Sequence, residues 1–181
     1  MSVWRGRART GEALVLLCAG GLLQRVVPMR KWSPALGRSA AVPEQWRGRV
    51  VTAAPRPGGG RPGGAGTADA GADAGAVERQ VGYAVARAAG RLPWRASCLA
   101  EAFAGQVLLR QRGRAGVVVI GLRRVDAAPA QGDAGGWEAH AWLVGRTGFL
   151  TGGPAARGFT ATSVFELPDR LSAADVAGLV R

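Results

Sequence analysis

The chain reads as an α+β fold, with helices packed on an antiparallel sheet and an N-terminal apolar helix ahead of them. Three observations predict this. Apolar residues recur at helical spacing over 77–89 and again over 98–113. A continuous β-branched run, VVVIGL at 117–122, is followed by three more strand-like segments separated by short turns. Before all of these, Ala13 to Leu23 forms an uninterrupted apolar run of 11 residues. Helices first and closely linked strands afterwards make a layout in which successive strands pair antiparallel.

Each element has a local reason. Residues 12–27, EALVLLCAGGLLQRVV, are too short in their apolar part to cross a membrane, which takes about 20 residues. A signal peptide fits poorly: Glu12 sits at the mouth of the run, and Leu22, Leu23, Gln24 and Arg25 follow where a small-x-small cleavage site belongs. The expectation is a buried or interface helix ending near Pro28, then a basic, irregular stretch through Arg30, Lys31 and Arg38. Residues 53–76 contain only Ala, Pro, Arg, Gly, Thr and Asp, with almost nothing to bury, and read as a flexible linker. This divides the chain into a basic helical segment (1–52), the linker (53–76) and a folded domain (77–181).

Within the domain, Val77, Val81, Val85 and Ala88 share one helix face, closed by Gly90. Pro93 and Trp94 mark a turn. Ser97 stands at the N-cap position directly before Cys98, and a stripe of Leu99, Phe103, Val107 and Leu108 runs to a stop at Gly113. Strands are expected at 117–122, 137–145, from 149 to 151, and at 159–167, with 126–136 as a loop.

Composition excludes several classes. The chain has 181 residues and a formal charge of +12, yet only one of its 24 basic residues is lysine, Lys31. Residues 1–61 carry 11 basic and 2 acidic side chains, so the excess charge sits in the first third. No aromatic-interleaved RNA motif, helix-turn-helix spacing or zinc finger accompanies it, and no nucleic-acid partner is expected. Two cysteines, Cys18 and Cys98, and one histidine, His140, provide neither a disulfide framework nor a four-ligand zinc site. No metal and no cofactor are expected, and with no targeting segment recognised the expected compartment is the cytoplasm.

The residues that can carry chemistry are Cys98 and His140. A cysteine in the first turn of a helix has its thiolate favoured by the helix dipole and the unpaired amides there, and those amides can hold an oxyanion. A histidine on a later strand can take the thiol proton and return it to a leaving amine. Papain-like and transglutaminase-like enzymes use this arrangement. The competing reading makes Cys98 a small buried hydrophobe and His140 a core residue between Trp137 and Trp142. Cys18 reads as helix packing, Trp94 and Trp142 as core or cleft wall, and Gln80 as a helix surface residue that could instead assist an oxyanion hole.

The stretch PWRASCLAEAFAGQVLLRQRG at 93–113, with AHAWLVGRTGFL at 139–150, resembles the lasso-peptide maturation proteases, transglutaminase-like cysteine peptidases that remove the leader from a lasso precursor. EALVLLCAGGLLQRVVPMRKWSPALGR at 12–38 resembles the element that precedes their domain. The resemblance implies a papain/transglutaminase-like core, Cys98 as nucleophile and His140 as general base. It implies as partners the precursor's leader peptide, a separate leader-recognition protein and an ATP-dependent cyclase of asparagine-synthetase type. The basic N-terminal third would then dock one of these proteins or a membrane face. Members of that family usually place an acid about a dozen residues past the histidine. Here Phe149, Leu150, Thr151, Gly152 and Gly153 occupy that region without a carboxylate. Glu138, Thr151, Asp133, Asp169, a backbone carbonyl or a water are the substitutes for orienting His140. Two other functions fit the same residues: a catalytically impaired scaffold of the same biosynthetic complex, and an acyl-transfer enzyme of transglutaminase type.

Overall fold

The computed structural model describes residues 2–51, 68–125 and 136–167. Four α-helices pack on a five-stranded antiparallel sheet. The helices are α1 (Ser2–Val26), a single turn α2 (Met29–Trp32), α3 (Ala68–Ala89) and α4 (Cys98–Gln111). The strands are β1 (Arg38–Ala40), β2 (Val117–Val125), β3 (Gly136–Gly145), β4 (Gly148–Thr151) and β5 (Thr160–Glu166), in the spatial order β1-β5-β2-β3-β4. Among the described residues no helix is long and apolar enough to cross a membrane.

The β-branched run lies at the centre of the sheet, because β2 pairs with β3 on one side and β5 on the other. Its alternate residues face two cores. Val118, with Leu143 and Phe165, faces the helices. Val117 and Val119, with Trp142 and Phe159, face the other side, which Trp46 and Val51 help to cover. Residues 2–51 are therefore built into the same cores as the later elements.

Three sequence expectations change. The linker expected over 53–76 ends early, since Ala68–Ala76 form the first turns of α3. Alanine has the highest intrinsic helix propensity, and a helix nucleated by the Val77–Ala89 face propagates cheaply into such a run. Residues 53–67 lie outside the described residues. The stretch around Arg38, expected to be irregular, contains β1, paired to β5 from Arg38↔Glu166 to Ala40↔Val164. Three residues are too few for a period-two pattern, but the approach is marked by Gly37 (φ 125°), where a Cβ would sit 2.4 Å from the Glu166 carbonyl oxygen. Finally, α4 is buried almost all round, with Ala100, Ala102, Phe103, Ala104, Gly105 and Leu108 inside, whereas Leu99 and Val107 of the expected stripe are half-buried. A helix enclosed on every side belongs to the middle of the molecule, here between α1 and the sheet.

Helix α1 meets its neighbours through a narrow stripe, Thr10, Ala13, Leu17 and Gly20, at alternating spacings of three and four. Gly20 lets the helices approach closely: a Cβ there would lie 3.2 Å from the Phe103 ring. Arg112 pairs with Glu12 at 2.6 Å, and Arg9 hydrogen-bonds Gln80, fastening α1 to α4 and α3. Leu14, Leu16 and Leu23 are half-buried against the same core, whereas Val15, Leu22 and Val26 are exposed, as is Cys18, which the sequence suggested would be packed.

One buried carboxylate sets the far end of the sheet. Glu78 on α3 accepts hydrogen bonds from the amides of Arg146 (3.1 Å) and Thr147 (2.9 Å) and from the Thr147 hydroxyl (2.6 Å). It pins the β3–β4 turn to the helix layer. Replacing Glu78 by Ala leaves three donors without an acceptor and is expected to destabilise the fold by about 2–4 kcal/mol, with Glu78→Gln costing less. Urea unfolding of the two variants checks the order.

Candidate active site

The site arises where β4 stops. β4 pairs with β3 only from Gly145↔Gly148 to Leu143↔Thr151, through a bulge. The backbone of Ala141 lies just past this end, so its amide has no strand partner on that side. It donates instead to Cys98 Sγ at 3.4 Å.

Cys98 is the first residue of α4. The helix starts there because Ser97, in extended conformation, caps it, with its Oγ accepting from the Ala100 amide at 3.1 Å. The Ser97 hydroxyl in turn donates to Gln24 Oε1 of α1 at 2.7 Å. The start of α4 is thus fixed by its own cap and by α1.

The two residues predicted from sequence are brought together: Cys98 and His140 are near enough for each to shift the other's pKa. The imidazole lies 5.2 Å from the Phe159 ring and stacks on Trp142 at 6.0 Å, centroid to centroid. Its Nε2 faces the carbonyl oxygen of Gly152 at 2.8 Å. A carbonyl can only accept, so Nε2 carries the proton, which leaves Nδ1 to take the proton of the thiol.

Gly152 therefore stands where the acid was missed, twelve residues past His140. It has φ 70°, and a Cβ would lie 2.6 Å from the Ala141 oxygen and 3.2 Å from His140 Nε2. Only glycine brings the backbone this close. Of the other substitutes, Glu138 is on the surface in an ion pair with Arg123. Thr151 is buried, and its hydroxyl has no hydrogen-bond partner. Asp133 and Asp169 lie outside the described residues. Gln80 is bound to Arg9 on the surface. Trp142 is buried in the second core, and Trp94 is 50% exposed beside the site.

The electrostatics favour an ion pair. Burial pushes the Cys98 thiol up, but the hydrogen bond to His140, the Ala141 amide, the charge on His140 and the Leu99 amide outweigh it and hold the thiol below its ordinary range. The bond to Cys98 raises His140; burial opposes it, while the Gly152 carbonyl, the Cys98 charge and Glu138 add to the rise. One turn further along α4, Glu101 is half-buried, and burial raises its carboxyl although the charge on His140 pulls the other way. Sequence reasoning passed over Glu101 because an acid in a first helical turn is ordinary.

A family model described as the transglutaminase-like superfamily matches residues 34–164, well over half of the chain. The chain belongs to the transglutaminase-like superfamily. That superfamily usually comprises cysteine-type enzymes, and the match spans β1, both long core helices and every later strand, Cys98 and His140 included. Neither a comparison with curated proteins nor one with solved structures returns a match. Among the described residues of this transglutaminase-like chain, no group of three or more His, Cys, Asp or Glu side chains is placed to hold a metal ion.

Two predictions follow from this geometry. The Cys98 thiol is lowered and His140 raised, and both shifts move the dyad towards a thiolate–imidazolium pair. Iodoacetamide should alkylate Cys98 in a rising step below the pH range of a free thiol, with Cys18 in the same sample as reference and peptide mass spectrometry as readout. Gly152→Ala displaces the carbonyl that orients the ring. It should slow Cys98 alkylation at neutral pH by about tenfold, the value of one hydrogen bond to a charged group.

Proposed function

We propose that the chain is a cysteine peptidase that cleaves a peptide bond through a thioester, and that its substrate is the leader–core junction of a lasso-peptide precursor. The first half rests on one observation: a thiol at a helix start that accepts from the Ala141 amide and lies beside the only histidine, each lowering or raising the other towards its charged form. The second half rests on the sequence resemblance carried by residues 93–113 and 139–150.

The steps follow from the atoms present. The Cys98 thiolate attacks the carbonyl carbon, and the negative charge moves to the carbonyl oxygen. In the first turn of α4, the Ala100 and Glu101 amides are already taken by Ser97. The Cys98 amide is left to face the oxyanion, with the positive end of the helix behind it. The carbon–nitrogen bond breaks as His140 Nδ1 gives its proton to the departing amine. His140 then takes a proton from water, whose oxygen attacks the thioester. The carbon–sulfur bond breaks and a carboxylate leaves. The core peptide is released with a free amine, the group a separate ATP-using cyclase would acylate, and a separate leader-recognition protein would present the precursor.

The test incubates purified protein and its leader-recognition partner with the precursor encoded nearby. The expected products are leader acid and core amine by mass spectrometry. Cys98→Ala should give neither, and His140→Ala should lower the rate by about 10²–10⁴-fold, the range of general acid–base catalysis. An amide-linked product instead of an acid would assign acyl transfer. Undiminished cleavage by Cys98→Ala would refute the nucleophile.

A further inference from the structure

A groove of about 330 Å³ runs between α1 and the segment Trp94–Ser97, the residues directly before Cys98 in the chain. Its apolar lining includes Leu17, Leu22 and Trp94, and its charged lining is Arg25 and Arg95, with no acidic residue. Neither arginine has an ion-pair or hydrogen-bond partner among the described residues. Leu22 is 62% exposed and Trp94 50%. Gln24, whose Oε1 is taken by Ser97, keeps a buried Nε2 donor with no acceptor in the same wall. Apolar surface, unpaired guanidinium groups and an orphaned amide donor together describe a site that lacks an anion with apolar flanks.

We propose that this groove receives an acidic, otherwise apolar segment of the peptide presented to Cys98, its carboxylate held between Arg25 and Arg95 and its apolar side chains laid on Leu22 and Trp94. The proposal rests on the peptidase reading for its biological meaning. The groove is concave and lined at Ser97, the neighbour of Cys98 in the chain, which fits an extended peptide better than a lipid surface, which would meet a convex face.

The test measures binding without turnover. Full-length Cys98→Ala protein is titrated with three fluorescein-labelled peptides that are identical except for Glu, Gln or Lys at two positions in a Leu-rich background. Fluorescence anisotropy is the readout. The Glu peptide should bind about tenfold more tightly than the Gln peptide, as expected for two partly exposed charge pairs, with Lys weakest. Arg25→Glu with Arg95→Glu should invert the order, and the corresponding Gln pair should level it. Both arginines are exposed, and unchanged melting curves will show that the fold is kept.

Equal affinity for the three peptides overturns the proposal. So does an equal loss in a control with Arg49→Glu and Arg110→Glu, exposed residues away from the groove, because the chain's net charge would then be acting without a site. Co-sedimentation with anionic phosphatidylglycerol vesicles that is lost in the groove variant, without peptide discrimination, assigns the face to a membrane and also overturns it. The two readings fail separately. Acid-selective binding with an unreactive Cys98 in the wild-type protein leaves the groove and removes the peptidase. A reactive Cys98 with no peptide preference does the reverse.

Discussion

The dyad depends on an unpaired strand edge. Were β4 two residues longer, its backbone would take the amide of Ala141, and the space that Cys98 Sγ fills would be occupied by a strand. Because pairing ends at Leu143↔Thr151 and the chain then turns at Gly152, the edge of β3 offers one free amide to the thiol and receives one carbonyl against the imidazole. The same termination provides both partners. It is held in turn by the buried Glu78 carboxylate, which ties the β3–β4 turn to α3. The chemistry is therefore anchored by a hydrogen-bonded carboxylate that never touches it.

A carbonyl in place of an acid changes the balance of forces in a definite way. It fixes the tautomer as well as a carboxylate does, because it too can only accept from Nε2. It carries only a partial charge, so it stabilises the imidazolium less. The rise at His140 is led accordingly by the partner thiol, with Glu138 contributing only through its charge. Each member favours the charged form of the other, against the burial that opposes both. Glu101, half-buried one turn along α4, sits within electrostatic reach of the same imidazole.

Much of this was legible before any coordinates. The helix at Cys98 could be read from Ser97, since a hydroxyl followed by an apolar run is a physical start signal, and Ser97 does cap Ala100. β2 was legible because it is a buried β-branched run, and the later strands because short apolar segments follow it between turns. Cys98 and His140 stood out as the thiol at a helix start and the only imidazole. What was not legible depends on backbone atoms or on partners far apart in sequence. The Gly152 carbonyl has no side chain to announce it, so the sequence shows a missing acid and the structure shows what replaces it. β1 is a strand only because β5 has an edge to fill. The early start of α3 was hidden because an alanine- and glycine-rich stretch takes its conformation from whatever it is attached to.

Helix α1 shows why the N-terminal segment cannot be treated as an appendage. Its inner stripe sets Leu17 among the small residues Thr10, Ala13 and Gly20, and Gly20 lets it lie close on α4. Val15, Leu22 and Val26 are turned outward, more apolar surface than a helix that only fills a core would leave exposed. Close approach on one side is what allows Gln24 to reach Ser97, so the helix that walls the groove also touches the cap of α4. Anything that settles on the outer face of α1 is then two hydrogen bonds from the first turn of α4: from Gln24 to the Ser97 hydroxyl, and from that hydroxyl to the Ala100 amide. The groove wall and the cap of α4 share Gln24, so a change at one bears on the other.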